Sequence, residues 1–89
     1  MFVFKVEKEA NYKINARIKY FRKKLAVAVE IDDQINEIYQ AEKSGQNGPP
    51  KYMQHTLVNN VHLDRGLHKI KLKPIVAGWG LDWIEVVDH

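Results

Sequence analysis

The sequence has no cysteine among its 89 residues, which excludes disulfide bonds and thiolate metal sites. No apolar run approaches the roughly 18 residues that a membrane-spanning helix needs, so we expect no membrane partner. The first residues lack the charged and apolar regions of a signal peptide. Helical periodicity is missing from every long window, which favours strands as the building elements of the fold.

The hydrophobic content of 45% is enough for a folded core and too high for a disordered chain. A chain of this length makes one small domain, which we place at residues 1–89. It contains no nucleophile elbow and no glycine-rich phosphate loop. A glycosidase also needs two carboxylates across a cleft that so small a domain can hardly build, so we expect no enzymatic activity from it alone.

Alternation of apolar and polar residues is the clearest positive signal. In residues 12–20, Tyr12, Ile14, Ala16, Ile18 and Tyr20 share one face of a strand. Comparable segments predict about seven short strands, joined by turns every eight to twelve residues: 2–6, 12–20, 25–31, 34–39, 53–63, 67–72 and 81–87. The pattern is typical of an all-β, antiparallel β-sandwich.

The last third of the chain holds a tryptophan between two glycines. We expect Pro74 to end the sixth strand because proline cannot donate to a ladder. Residues 75–80 then form a loop that exposes Trp79, a costly position unless a ligand uses it. The alternative is that Trp79 folds back over the rim of the core, and the sequence does not decide between the two.

The formal net charge is +3, with basic residues grouped at 19–24 and at Lys69, Lys71 and Lys73. A basic patch with aromatic residues can indicate nucleic-acid binding. On alternating strands it more commonly marks a solvated face. We therefore rank nucleic acid last among the partners, although the charge would suit an acidic glycan.

Several segments resemble family 6 carbohydrate-binding modules. Residues 12–20 are similar to the family's "G-x-Y-x-l-x-x-R" strand, with Tyr12 and Arg17 in the matching places. Residues 66–72 resemble "G-x-H-x-l-x-l", and residues 80–84 resemble the ending "N-l-D-W-i". The C-terminal accessory domains of family 115 glycoside hydrolases are similar too, through a hairpin like residues 27–33.

The resemblance implies a jelly-roll sandwich of the galactose-binding-domain type. Such modules open with further strands that carry a Glu-x-Glu pair, which this sequence lacks. We therefore expect the chain to correspond to the later part of such a module. The sheet edge left open would need a cover, through a homodimer, strand exchange or the missing segment.

In the similar modules, loop aromatics at one end of the sandwich hold the sugar. This implies Trp79 as a stacking residue and Tyr52 as a second aromatic. Hydrogen bonds to the sugar would come from Asn47, Asn59 and Asn60, and the alternative for Asn59 and Asn60 is pairing within the sheet. Tyr39 is an alternative to Tyr52, and simple anchoring of the long loop is the alternative for both tyrosines. The family's contacting asparagine is replaced here by Gly80.

The resemblance also implies a metal and two structural residues. Asp82 matches an aspartate that helps to hold a structural calcium, which makes it the candidate metal ligand. The Glu pair that completes the family's site is missing, so we expect no complete calcium site here and no other cofactor. We predict Trp83 in the core. His68 has buried parity, and we predict a hydrogen-bonded core histidine there rather than a metal ligand.

These observations predict a non-catalytic carbohydrate-binding module of a larger glycoside hydrolase. Its partners would be a polysaccharide and the catalytic domain of the parent chain. Its location would be extracellular or periplasmic, as part of a longer secreted chain. The alternative is a structural or dimerisation domain of such an enzyme with no sugar site of its own.

Overall fold

The structure is a computed structural model that describes residues 1–21, 23–42, 51–76 and 78–89. Within those residues the chain forms strands and no helix. The seven strands are β1 (Phe2–Val6), β2 (Ala10–Tyr20), β3 (Lys24–Ile31), β4 (Gln34–Glu42), β5 (Met53–Leu63), β6 (Gly66–Val76) and β7 (Trp79–Asp88). The described part therefore holds no helix of the length and hydropathy that a membrane crossing requires.

The strands form two antiparallel sheets. The four-stranded sheet has the order β1-β6-β3-β4, and the three-stranded sheet has the order β5-β2-β7. Only β3 and β4 are consecutive strands that pair with each other, since every other connection crosses from one sheet to the other. The predicted all-β class and antiparallel β-sandwich are confirmed.

The core lies between the sheets and is made by alternate residues of the strands. In β2, Ile14, Ala16 and Ile18 are completely buried, as the period of two predicts. The other buried members of the core are Val6, Tyr20, Leu25, Val27, Val29, Ile31, Leu57, Val58, Leu63 and Ile70. Leu57 and Val58 are both buried because a register shift interrupts the alternation of β5. Each strand thus has one face inside the sandwich and one face outside.

The two flanks of the sandwich differ. On one flank β4 and β5 meet, and the hydroxyl of Tyr39 lies 2.8 Å from Nδ1 of His55. On the other flank β1 and β7 border a groove of about 440 Å³, lined by residues such as Phe2, Phe4 and Ile84. Homodimerisation or strand addition at this flank stays a prediction.

The β3–β4 turn is tied to β6. Asp32 and Asp33 have positive φ values of 52° and 69°, a conformation that two-residue hairpin turns require. The Asp32 carboxylate accepts hydrogen bonds from the backbone N–H of Lys69 at 2.9 Å and from Nδ1 of His68 at 2.6 Å. The Nε2 of His68 donates to the carbonyl of Asp64, so the predicted hydrogen bonding is confirmed. The ring is half-buried and lies outside the core cluster.

Those contacts shift the acidity of both side chains. The backbone carbonyl of Asp64 raises the pKa of His68 above its ordinary value, against the opposing effect of burial, and the Asp32 carboxylate adds to the rise. Burial by itself would raise the pKa of Asp32, but the bonds from Lys69 and His68 outweigh burial and lower it. The turn therefore holds an ionised pair between β3 and β6.

The predicted end of β6 at Pro74 is wrong. β6 continues to Val76, and Pro74 lies opposite Val27 of β3. The shorter β1 pairs with β6 only as far as Ile70, so beyond Ile70 the other side of β6 has no described partner strand. An edge of this kind accommodates proline because no ladder donor is needed there.

Candidate functional site

The outer face of the three-stranded sheet gathers aromatic and charged side chains at one end of the sandwich. We call it the Tyr52 face, and it comprises Arg17, Lys19, Phe21, Tyr52 and Trp83. β2 supplies Arg17 and Lys19, Phe21 directly follows β2, Tyr52 directly precedes β5, and Trp83 lies in β7. Three separate parts of the chain therefore meet on one surface.

Tyr52 lies across this face rather than at its edge. Its ring centroid is 5.5 Å from Nζ of Lys19 and 5.9 Å from the guanidinium carbon of Arg17. Its hydroxyl reaches β7, since a Cβ built on Gly80 would lie 3.7 Å away, an ordinary contact distance. The ring is 40% exposed, which leaves aromatic surface open to solvent beside two cations.

Phe21 extends the aromatic surface beyond the end of β2. Nζ of Lys19 is 5.5 Å from its ring centroid, so Lys19 lies near two aromatic rings. The backbone N–H of Phe21 donates to the carbonyl of Gly78 at 2.8 Å, which fixes the end of β2 to the start of β7. The ring is 58% exposed in spite of this anchored backbone.

Asp82 and Trp83 reach the outer face through a β-bulge. Arg17 pairs with Trp83 and Ile18 pairs with Leu81, so Asp82 is the extra residue of β7. Asp82 Oδ2 lies 3.8 Å from Nε of Arg17. The predicted core position of Trp83 is therefore wrong: the register sets this half-buried residue beside Arg17, outside the core.

A hydrogen-bonded row crosses the same sheet beside the Tyr52 face. Thr56 Oγ1 donates to Asn15 Oδ1 at 2.8 Å, and Asn15 Nδ2 donates to Glu85 Oε1 at 3.1 Å. Asn15 is buried although its side chain lies on the outer face of the sheet. The row links β5, β2 and β7 and makes this face rigid and polar next to its aromatic end.

Trp79 lies on the opposite, inner side of β7. It pairs with the buried Tyr20 and packs against the core, half-buried. The predicted loop at this position is wrong, because β7 already begins at Trp79. Trp79 therefore packs against the core, which is the alternative that the sequence left open. A role for Trp79 as a ligand contact stays a prediction.

The other predicted residues lie elsewhere. Asn60 is exposed near the far end of β5, about 26 Å along the strand from Tyr52. Asn47 lies outside the described residues. Tyr39 is half-buried against the core and hydrogen-bonded to His55. These contacts agree with an anchoring role for Tyr39, the alternative to sugar binding. Of the three described residues predicted to contact sugar, Tyr52, Asn60 and Trp79, only Tyr52 lies on this aromatic face.

The calcium prediction rests on Asp82, whose described charged neighbour is the guanidinium of Arg17. Calcium takes six to eight oxygen ligands, several of them carboxylates. Among the described residues, the one group of three side chains close enough to share an ion is Glu9, His62 and Asp64, at the opposite end of the sandwich. Calcium binding at Asp82 stays a prediction.

Four residues of the Tyr52 face were not predicted as site residues: Arg17, Lys19, Phe21 and Trp83. A signal was present for the first three, because residues 17, 19 and 21 share the outward parity of β2. For Trp83 no such signal existed. The bulge at Asp82 reverses the parity that simple alternation assigns to it.

No protein-family model and no curated protein matches the chain. A search of solved structures finds the fold in a β-glucosidase from Paenibacillus barengoltzii, with a TM-score of 0.78 and 19% sequence identity. The match covers 96% of this chain and 9% of that one. At this identity the likeness shows a shared fold and does not specifically support family 6. The chain therefore shares its β-sandwich fold with a small part of that glycoside hydrolase.

Proposed function

We propose that this chain is a non-catalytic carbohydrate-binding domain of a larger glycoside hydrolase, with its sugar site on the Tyr52 face. The observation that carries the proposal is the half-exposed Tyr52 ring, laid across the sheet beside Arg17 and Lys19. An aromatic ring in this setting supplies an apolar plane edged by hydrogen-bond donors. A sugar ring needs the same two features in its binding site.

The chemistry of the Tyr52 face suits sugars. The C–H faces of a pyranose pack on aromatic planes, which Tyr52, Phe21 and Trp83 supply in sequence across the sheet. Guanidinium and ammonium groups donate to hydroxyls and pair with carboxylates. Arg17 and Lys19 therefore favour glycans that carry uronic acids over neutral ones.

Carboxylates near this face are engaged in contacts within the sheet. Asp82 pairs with Arg17, and Glu85 accepts from Asn15. Hydrolysis of a glycoside needs one carboxylic acid and one free carboxylate on either side of the scissile bond. This engagement supports a binding role and leaves catalysis to another part of the parent chain.

The proposed context is a larger, secreted enzyme. The fold recurs in 9% of the length of a β-glucosidase, which supports an accessory position next to a catalytic domain. Polysaccharide substrates lie outside the cytoplasm, so the proposal includes an extracellular or periplasmic location. A homodimer across the β1–β7 flank would be compatible with the Tyr52 face, because that face is on a different side of β7.

The alternative is a structural accessory domain without a sugar site. The packing of Trp79 against the core favours it, as does Gly80 in place of the family's contacting asparagine. The outer face of the four-stranded sheet also exposes Ile35 and Ile38 of β4, which could pack on a neighbouring domain. A structural domain of this kind would show no saturable binding of any glycan.

The test is isothermal titration of the purified chain with neutral and uronic-acid oligosaccharides, repeated with Tyr52→Ala. Phe2→Ala is the matched control, because Phe2 is an aromatic residue of nearly equal exposure, 39%, on the other sheet. We expect a Kd between roughly 10 µM and 1 mM for one glycan class. Loss of one aromatic stacking contact, about 1.5 kcal/mol, should weaken binding about tenfold in Tyr52→Ala.

Phe2→Ala should bind as the unchanged chain does. Absence of binding from a chain shown to be folded by circular dichroism would overturn the sugar-binding proposal and favour the structural alternative. Binding that is weakened by Phe2→Ala and not by Tyr52→Ala would move the site away from the Tyr52 face.

A further inference from the structure

A second cluster of functional side chains lies at the opposite end of the sandwich. Nε2 of His62 in β5 is 2.9 Å from Oε2 of Glu9 and 3.7 Å from Oδ1 of Asp64. All three donor atoms lie within 4.8 Å of one another. We call these three residues the His62 cluster. It contains none of the residues of the Tyr52 face.

Strand pairing fixes the orientation of the histidine. His62 lies directly opposite Asn11 of β2, and its Nδ1 is 3.0 Å from Asn11 Oδ1. A carbonyl oxygen only accepts, so Nδ1 carries a hydrogen and donates to it. Nε2 is thereby directed between the two carboxylates. A histidine that donates through one nitrogen and binds metal through the other is the usual arrangement in metal sites.

The spacing of the donor atoms fits a tetrahedral metal ion. Nitrogen and oxygen ligands about 2.0 Å from a tetrahedral Zn²⁺ are about 3.3 Å from each other. The two measured separations from His62 Nε2, 2.9 and 3.7 Å, lie on either side of that value. Small rotations of the exposed Glu9 and Asp64 side chains would complete the geometry without movement of the strands.

The charge of the cluster also favours a divalent cation. Two carboxylates and a neutral imidazole sum to −2, which a divalent ion neutralises. A protonated His62 leaves one uncompensated negative charge between carboxylates that are close together. An imidazole with two carboxylates is a zinc ligand set, whereas calcium prefers oxygen ligands only.

We propose that Glu9, His62 and Asp64 bind Zn²⁺, with Asn11 as the residue that positions His62. The ion would lie between Nε2 of His62 and the two carboxylates. Three protein ligands leave a fourth tetrahedral position for water or a ligand. A cleft of about 330 Å³ adjoins the cluster and is lined by His62 and Asp64 together with Asp32, Asn36 and His68, so a small polar ligand of the ion would have room to bind.

The test is titration of the chelator-treated chain with zinc chloride, by calorimetry and by ¹H–¹⁵N NMR of the histidine ring nitrogens. We expect saturable one-to-one binding and a large shift of the Nε2 resonance of His62. His62→Gln should abolish binding. Asn11→Ala should weaken it about tenfold, as loss of a partner that orients a metal-bound histidine commonly does.

Glu7→Gln is the control, because Glu7 belongs to the same turn as Glu9 and is not part of the cluster. That variant should bind zinc as the unchanged chain does. Three results would each overturn the proposal: no saturable binding, binding that persists in a folded His62→Gln variant, or a shift of another histidine in place of His62. The glycan titration is independent, so either proposal can fail without the other.

Discussion

His55 is a half-buried histidine that faces the interior of the sandwich, opposite Ala16 of β2. Its Nδ1 is bonded to the Tyr39 hydroxyl, and its ring lies 5.5 Å from the ring of Tyr39 and 6.0 Å from that of Tyr20. Burial lowers the pKa of His55 below its ordinary value, and burial likewise raises the pKa of the Tyr39 hydroxyl. Protonation of His55 is therefore easier in the unfolded chain than in the folded one.

This difference predicts a pH dependence of stability. The folded-state pKa of His55 is depressed, so its contribution is fully present above the unfolded pKa of about 6.5 and declines as pH falls below it. We expect the unchanged chain to lose more stability than His55→Gln between about pH 7.5 and pH 5. Urea unfolding at both pH values measures it, and the remaining histidines are common to both proteins. An equal loss in the two proteins would contradict a neutral, half-buried His55.

Trp79 gives a second prediction at the residue scale. Because it packs on the core, Trp79→Ala should destabilise the chain by about 2–3 kcal/mol, less than for a fully buried tryptophan. Trp79→Phe should keep most of the packing and all of the glycan affinity. Urea unfolding and calorimetry with the same oligosaccharide check both statements. A folded Trp79→Phe variant that no longer binds would show that the indole contacts the ligand.

The two tryptophans show where residue-level prediction fails. Alternation in β7, counted from the inward Leu81, assigns Trp83 to the interior. The extra residue at the Asp82 bulge reverses the count, so that Trp83 faces outward and Ile84 packs inward. Nothing in the local composition marks the bulge. In β2, where the described inner residues alternate without interruption, the same reasoning identified the buried face correctly.

At the scale of elements, the β3–β4 turn offers a matched pair of residues. Asp32 and Asp33 both have positive φ, which asparagine also tolerates. Asp32 accepts from His68 and from the backbone of Lys69, whereas Asp33 only forms ion pairs of 3.7 and 3.5 Å with the exposed Lys69 and Lys71. The two substitutions Asp32→Asn and Asp33→Asn therefore separate the hydrogen bonds from the turn conformation.

We expect Asp32→Asn to cost about 1–2 kcal/mol, because it removes charge-assisted bonds between β3 and β6. Asp33→Asn should change stability by less than about 0.5 kcal/mol, as exposed ion pairs contribute little. Denaturant unfolding at pH 6 measures both. Similar costs for the two variants would mean that the turn conformation, and not the contact with β6, governs stability here.

The existence and type of the elements followed from period-two patterns in most strands and from β-branched and aromatic composition in residues 81–87. Residues 34–39 also fitted a helical turn, and the structure shows a strand there. The ends of the strands were harder to predict. β6 runs through Pro74 because β1 stops pairing at Ile70, a fact of tertiary pairing that local sequence does not contain. The same holds for Trp79, which belongs to a strand because Tyr20 of β2 is available to pair with it.

At the scale of the whole molecule, the two proposed sites lie at opposite ends of an elongated sandwich, 43 Å in its longest dimension. Tyr52 and His62 are ten residues apart along one extended strand, about 33 Å. No described contact joins the Tyr52 face to the His62 cluster other than the strands themselves. Coupling between two sites requires an element with two arrangements that both ligands bias, and rigid strands supply none.

We therefore expect zinc at saturating concentration to leave the Kd for glycan unchanged within about twofold. Zinc should raise the thermal unfolding temperature, since an ion that binds only the folded state stabilises it. Paired calorimetric titrations with and without zinc measure the first effect, and thermal melts measure the second. A change in glycan affinity of tenfold or more would show that the two ends communicate.

The sandwich itself was predictable because most of the strands carry one apolar face and two such sheets must bury it together. The distribution of the strands between the two sheets was not predictable from the sequence. Every connection except β3–β4 crosses from sheet to sheet, and partners as distant as Phe2 and Ile70 meet only in the folded chain. The Tyr52 face therefore could not be predicted from any single segment of the sequence, since β2, β5 and β7 build it together.

The most direct test of the central claim is a ¹H–¹⁵N NMR titration of the chain with the oligosaccharide that binds it in calorimetry. Ligand binding on the Tyr52 face predicts the largest shifts at residues 17–21, at Tyr52 and Gln54, and at residues 80–83. The His62 cluster and the β1–β7 groove should stay unperturbed. Shifts centred on either of those regions, or no shifts at millimolar ligand, would contradict the assignment of sugar binding to the Tyr52 face.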